Sequence, residues 1–388
     1  MESKPLTGGE AVAEAIRQIN PGVMAAYPIT PQTPIIEKFS QFVANGLVDT
    51  EFIRVESEHS ALSATVGACA AGVRAMTATS SQGLALMWEI LGAAAGLRLP
   101  IVMPTPNRAL SAPINIHCDH SDTMGARDQG WIHIFSETAQ EAYEHTLLAI
   151  RVSENKKVRI PSMIMQDGFN TTHNMENVVI HDDKKIRNFL GEYEPRYSLL
   201  DVNKPMTHGP FALQNYYFEI KKEQEDAILR AKDVYLKIGA ELSKITGNSY
   251  ELFEEYKSKD AEIVFIVLNS TAGTVKATID DLRKKGNKAG MIKIKLYRPF
   301  PCAEIADALK NAKKVIVLDR SLSFGAVPPV CSDIKNALYN SENRPEVISY
   351  VFGLGGKNIY EKDIEEAYYS VKNNMYEKHI NYIGLGRR

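Results

Sequence analysis

The chain has 388 residues, of which 44% are apolar and 24% charged, and a formal net charge of −2. That composition belongs to an ordinary folded protein, the length suits two or three domains of roughly 100 to 200 residues each, and the near-neutral charge gives no global pull toward nucleic acid or membrane. The cysteines, Cys69, Cys118, Cys302 and Cys331, form no CxxC pair. This argues against a structural zinc site, a self-contained iron–sulfur cluster or a disulfide framework, so no metal site is expected in this chain.

Met1-Glu2-Ser3-Lys4 lacks the hydrophobic core of a signal peptide, and the weakly charged run Ala61 to Leu97 is broken by Arg74 and Glu89. A cytoplasmic protein without a membrane span is the expectation. Gly9 to Asn20 places Ala11, Val12, Ala15 and Ile16 at helical spacing. Val23 to Tyr27 reads as a short buried strand that runs into Pro28-Ile29-Thr30-Pro31-Gln32-Thr33-Pro34. So many prolines forbid regular structure and make a stiff loop. Such a loop is either a plain connector or a rigid holder for a substrate-contacting hydroxyl. Thr33 is the candidate cap of the next helix, with Pro34 at its first position.

The chain is organised around Ile53 to Leu86. A strand over Phe52 to Val55 ends in Glu56-Ser57-Glu58-His59. Ala61, Ala64, Ala68, Ala71 and Gly72 follow, small residues that suit a tightly packed helix. A second strand, Ala75 to Thr79, ends in Ser80-Ser81-Gln82-Gly83 before another helix. Tandem strand-turn-helix units imply a parallel sheet, and such sheets bind ligands outside the carboxyl ends of their strands. Glu58 stands at that rim. Two readings compete for it: complement to the positive helix end behind a Ser57 cap, or a carboxyl in a pocket that shares a proton with a bound ligand.

Pro100 to Pro106 is a strand, followed by Asn107-Arg108 and the irregular ALSAPINIHCDHSDTMGARD. A connection of that length usually carries function. His117, Asp119, His120 and Asp122 admit a metal-cluster reading, but carboxylates also form turns. Arg108, directly after a strand, is the better candidate, as a bidentate clamp for a carboxylate or phosphate; the alternative is a structural ion pair with a nearby Asp. Trp131 to Ser136 and Ile160 to Gln166 read as strands around an Ala139 to Asn155 helix, which completes one doubly wound domain.

From His173 to Glu223 the alternation stops, and the segment reads as an extended linker wrapped over another surface. Lys221 to Tyr256 is a long amphipathic helical pattern interrupted near Gly247-Asn248. A second α/β unit begins at Ala261, with strands at Ile263 to Leu268, Ala289 to Tyr297, Lys314 to Asp319 and Val347 to Phe352. Its turns Ser270-Thr271-Ala272-Gly273-Thr274 and Gly353-Leu354-Gly355-Gly356-Lys357 match neither a Walker pattern nor GxGxxG. The expected units are 1–172, 173–258 and 259–388.

Tyr27-Pro28-Ile29-Thr30-Pro31, Glu56-Ser57-Glu58-His59, Thr79-Ser80-Ser81-Gln82-Gly83, Asn107-Arg108-Ala109 and Cys118-Asp119-His120-Ser121-Asp122 resemble, in order, the α subunit of pyruvate:ferredoxin oxidoreductase. Arg298-Pro299-Phe300-Pro301 and Asp319-Arg320-Ser321 extend the match through the second unit. The resemblance implies an α/β protein: a thiamine-diphosphate-binding, pyrimidine-type doubly wound domain plus a smaller domain like the transketolase C-terminal one. It implies a hetero-oligomeric enzyme that splits pyruvate, releases carbon dioxide, passes electrons to ferredoxin and forms acetyl-coenzyme A. Thiamine diphosphate would be shared with a partner, and Mg²⁺ and the [4Fe-4S] clusters would sit in the β, γ and δ subunits. By the same resemblance Glu58 meets the aminopyrimidine ring of the cofactor, Arg108 binds the substrate carboxylate and Thr30 gives it a hydroxyl. Asp119, His120 and Asp122 shape the loop, and Ser111 to Cys118 is where substrate specificity would differ. Alternatives are a subunit for 2-oxoglutarate, a branched 2-oxoacid or oxalate, a non-catalytic assembly subunit, or a thiamine-dependent transketolase or dehydrogenase component without clusters.

Overall fold

The computed structural model describes residues 2–386. Thr7 starts the first helix: its hydroxyl accepts the Glu10 N–H while the Glu10 carboxylate accepts the Thr7 N–H, so Gly8–Ile19 begins with a capping box. Its buried residues face the Ala139–Glu154 helix, and both lie on one side of a seven-stranded sheet.

The strands of that sheet run, edge to edge, Leu296–Arg298, Ile132–Ser136, Ser162–Asp167, Val102–Asn107, Ala75–Met76, Val23–Ala26 and Glu51–Arg54. All pair in parallel except Leu296–Arg298. Ile132–Ser136, Ser162–Asp167 and Val102–Asn107 are buried at every residue, as strands covered on both faces must be. From Val23–Ala26 the chain first goes to one side, to Glu51–Arg54, then to the other, to Ala75–Met76. The strand order therefore reverses there, and a crevice opens at the carboxyl ends.

The second sheet has six strands in the order Asn381–Tyr382, Glu346–Val351, Lys314–Asp319, Ile263–Val267, Ala289–Ile294 and Phe253–Tyr256. Only the last runs antiparallel to its neighbour. Its reversal point lies between Ile263–Val267 and Lys314–Asp319. Two doubly wound sheets with helices are the α/β architecture expected. No helix among the described residues is long and apolar enough to cross a membrane.

Several elements differ from the sequence reading. Ala289 to Tyr297 is not one strand. At Lys295 the backbone changes partners: the Lys295 and Leu296 N–H groups donate to the Leu252 carbonyl, and Phe135 N–H donates to the Lys295 carbonyl. Leu296–Arg298 thus joins the first sheet, antiparallel to Ile132–Ser136. The stretch after His173 is not all irregular. Met175–Ile180 pairs antiparallel with Glu2–Thr7, and Asp183–Leu190 is a helix. That ribbon buries only Leu6, Val178 and Ile180 among its apolar residues, so it shows no apolar run to read. The long helix starts at Gln214 and ends at Thr246, where Gly247 adopts φ +80° and turns the chain toward the Phe253–Tyr256 strand.

Candidate active site

Three loops meet outside the carboxyl ends at the reversal point of the first sheet. Gln32 Nε2 donates to the Ala78 carbonyl at 2.9 Å and ties the proline-rich loop to the Ala78–Ser80 turn. Glu58 begins the Glu58–Ala70 helix, but the capping is done by its neighbour. Ser57 Oγ accepts the Ser60 N–H at 3.2 Å, and Ser60 Oγ in turn donates to the Glu56 carboxylate. The Glu58 carboxylate is left with no hydrogen bond or ion pair among the described residues while only 8% of the residue is exposed.

Gly83 makes room for it. A Cβ there would lie 2.4 Å from Thr79 Oγ1, 2.7 Å from Glu58 Cγ and 2.9 Å from Glu58 Oε1. The hydroxyls of Thr77, Thr79 and Ser80, on the same turn, are buried without partners. Ser81 sits at φ +48°, a conformation a side chain resists, and is fixed by its N–H on Asp122 and its hydroxyl on the Ala109 carbonyl. Orphaned hydroxyls, an unpaired carboxyl and a strained turn around one glycine form a polar cradle able to hydrogen-bond a ring-nitrogen heterocycle.

Arg108 follows the Val102–Asn107 strand. Its Nη1 donates to the Thr30 carbonyl and its Nε to the Asn115 carbonyl, both at 3.0 Å. The structure thus brings two of the expected site residues into contact, through the Thr30 main chain. The residue is 7% exposed, and burial pulls the guanidinium below its ordinary pKa. It is in no ion pair among the described residues, so the structural alternative of a bridge to a nearby Asp does not hold. Asp122 takes its main-chain N–H instead, together with those of Ser81 and Thr123 and the Asn107 amide. Burial pushes Asp122 up to about 6 against those four donors. Glu58 packs against Gly83 of the Ser81–Leu86 helix. The same helix reaches Ser111, whose hydroxyl accepts from Gln82 Nε2 at 2.7 Å.

The side chains that admitted a metal reading are held by different partners. The His117 ring packs on Phe169, Asp119 takes the Ser121 and Gly355 N–H groups, and His120 Nε2 meets Asp167 Oδ1 at 2.8 Å. Cys118, His120 and Asp167 do bring ligand atoms within 4.8 Å of one another. The Asp167 oxygens, however, are already taken by Arg320 Nη1, Asn269 Nδ2 and the Ser270 N–H and hydroxyl. Burial raises the pKa of Asp167, but Arg320 and His120 outweigh it and hold the carboxyl below its usual range. Asp167 therefore ties the first sheet to the reversal point of the second, where Ser270, Thr271, Thr274 and Arg320 line a cavity of about 550 Å³. The Gly353–Gly356 turn completes the junction: Gly356 N–H donates to the Cys118 carbonyl at 2.7 Å, and Asn115 Nδ2 to the Gly355 carbonyl at 3.0 Å. A Cβ at Gly356, φ +82°, would lie 2.3 Å from His117 Cβ.

Asn269, Ser270 and the cradle role of Thr79 were missed from sequence. The one usable signal is position: each directly follows a buried run of a parallel strand, and such residues stand on the ligand rim.

The comparisons bear on the whole chain. The family described as "Pyruvate flavodoxin/ferredoxin oxidoreductase, thiamine diP-bdg" matches residues 14–239, and "Pyruvate:ferredoxin oxidoreductase core domain II" matches 261–364. Pyruvate synthase subunit PorA of Thermotoga maritima is 51% identical over 99% of this chain and 98% of its own. The PorA subunit of Pyrococcus furiosus is 46% identical over 98% of each chain. Ketoisovalerate oxidoreductase subunit VorA of Pyrococcus abyssi is 41% identical over 93% of this chain and 91% of its own. A solved 2-oxoglutarate:ferredoxin oxidoreductase from Magnetococcus marinus, with 2-oxoglutarate, coenzyme A and succinyl-CoA bound, superposes with a TM-score of 0.75 at 19% identity, over 96% of this chain and 65% of that one. That likeness bears on the fold alone. With both family matches in order and half the residues shared with a full-length relative, the chain belongs to the pyruvate flavodoxin/ferredoxin oxidoreductase family.

Proposed function

We propose that this chain is the α subunit of a pyruvate:ferredoxin oxidoreductase of the pyruvate synthase type. The complex oxidatively decarboxylates pyruvate with coenzyme A to acetyl-coenzyme A and carbon dioxide, and hands the electrons to ferredoxin. It works in the cytoplasm with β, γ and δ partner subunits that hold Mg²⁺ and the [4Fe-4S] clusters. The units are a pyrimidine-side domain over 1–172, a linker and long helix over 173–258, and a transketolase C-terminal-like domain over 259–388.

One observation carries the reading. Arg108 is nearly buried, is steered by the Thr30 and Asn115 carbonyls, and has no ion-pair partner among the described residues. A buried guanidinium in no ion pair is a receptor for an anion, and its planar fork matches a carboxylate. Arg108 binds the carboxylate of the 2-oxoacid, and the Thr30 hydroxyl donates to the same molecule. Bound thiamine diphosphate supplies the nucleophilic carbon and the electron sink for decarboxylation. Glu58 holds a proton at the ring nitrogen of its aminopyrimidine. The cradle of Thr79, Ser80 and Gly83 suits that ring. A partner subunit would hold the diphosphate end. Pyruvate is favoured over a branched 2-oxoacid because the PorA relatives share 51% and 46% of residues and the VorA relative 41%.

The test is a panel of 2-oxoacids given to the assembled complex with coenzyme A and a viologen acceptor. Pyruvate should have the highest kcat/KM; a higher value for another 2-oxoacid overturns the substrate. Glu58→Gln should abolish turnover and leave subunit assembly intact. Full activity in that variant removes Glu58 from the chemistry.

A further inference from the structure

At the other end of the Glu58 helix, about 16 Å from Glu58 at the usual rise per residue, the structure encloses a cavity of about 210 Å³ with an unusual charge balance. It lies beneath the 193–210 segment, at the amino-terminal edge of the first sheet, so it is separate from the candidate active site. Arg98, Arg159, Arg196 and His208 line it, and no Asp or Glu does.

The arginines are oriented by carbonyls. Arg98 donates to the carbonyls of Val158, Arg159 and Glu223, and Arg159 Nη2 donates to the Glu194 carbonyl at 3.0 Å. Arg196 stacks on the Tyr197 ring at 4.9 Å. None of them is in an ion pair among the described residues. Two neighbouring acids serve elsewhere, Glu154 with Arg74 and Glu194 with Lys156. His208 Nε2 is buried without a partner. Arg98 and Arg159 both have positive φ, +59° and +44°, a conformation that costs an L-residue roughly 1 kcal/mol or more and that here turns both toward one space. The field is repulsive as it stands. Burial lowers the Arg98 pKa, and Arg230, Arg196 and Arg159 lower it further, with Glu223 offsetting only part of this.

Carbonyls can aim a guanidinium but cannot neutralise it. We propose that this cavity is a binding site for a compact phosphoryl anion, held by Arg159, Arg196 and His208 with Arg98 as supporting charge. The volume admits a phosphate or pyrophosphate group. The ligand would fasten the 193–210 segment to the end of the Glu58 helix, where Ser198 Oγ and Leu199 N–H already donate to the Ala71 and Ala70 carbonyls.

The test is arginine-selective labelling of the full chain with phenylglyoxal, read by mass spectrometry at Arg196 and Arg159, with Arg344 as the internal reference. Inorganic phosphate and pyrophosphate are titrated separately against chloride of equal ionic strength. One of them should slow labelling saturably, by about tenfold at roughly ten times its Kd. Protection of Arg196 should vanish in Arg159→Gln and weaken in His208→Ala. Equal labelling in phosphate, pyrophosphate and chloride overturns the proposal. So does protection that appears only on assembly with the partner subunits, because the cavity then receives an acidic group of a partner.

Discussion

Asp167 and Arg320 stand 153 residues apart in sequence and form a buried ion pair, Oδ2 to Nη1 at 3.0 Å, across the junction of the two sheets. The carboxylate ends a strand of the first sheet, and the guanidinium follows a strand of the second. Because Asp167 also takes Ser270 and Asn269, one side chain ties the first sheet to the reversal point of the second.

Asp167→Ala leaves Arg320 buried without its counter-charge. Removing one partner of a buried pair costs about 3–5 kcal/mol, so the thermal midpoint should fall by several degrees. Hydrogen exchange should rise together at Ser270 and across Asn115 to His120. An unchanged midpoint would show that the junction is held by its apolar contacts alone.

Arg108→Lys keeps the charge and loses the fork that spans the Thr30 and Asn115 carbonyls. Losing hydrogen bonds to a charged partner costs roughly 1.5–3 kcal/mol, or about 10- to 150-fold in KM for the 2-oxoacid. The rise should appear in KM for pyruvate more than in KM for coenzyme A, as measured by steady-state kinetics on the assembled complex. A parallel rise in both would place Arg108 outside the oxoacid site.

Gly83→Ala inserts a methyl 2.4 Å from Thr79 Oγ1 and 2.7 Å from Glu58 Cγ. Both side chains must move. A displacement of about 1 Å at reacting groups costs on the order of 10²-fold in rate, so kcat should fall steeply while the thermal midpoint changes little. Combining it with Thr79→Ala removes the shortest contact and should recover part of the rate. Wild-type kcat in Gly83→Ala would dismiss the cradle.

His133 is buried in the Ile132–Ser136 strand with neither ring nitrogen bonded. Burial, and then the Arg298 and Arg127 charges, push it down to about 3 from 6.5. The folded pKa is depressed, so the neutral ring contributes its full stability above pH ~6.5, and this is lost as pH falls toward 3. The linked change is on the order of 5 kcal/mol over that window. His133→Leu should flatten the acid side of a urea-denaturation series between those limits. Parallel curves for both proteins would show that the ring is hydrated.

The sequence by itself determined what is local. Apolar runs followed by turn residues marked the parallel strands from Val23 to Asp167 and the one at Ile263 within a few positions, and the prolines after Tyr27 marked a rigid loop. Ser57 as a cap and Glu58 behind it were readable because capping involves residues three apart. Arg108 was readable because it stands directly after a buried strand. The tertiary structure alone decided what depends on distant partners. Nothing near Leu296 signals that it pairs with Ile134, and nothing near Glu2 signals Ile180. The Thr30 carbonyl under Arg108, the room that Gly83 leaves for Glu58, and Asp167 at the reversal point of the second sheet arise only when separate loops share one rim. Spacing along a chain fixes which face a side chain takes, but sheet order fixes which faces meet.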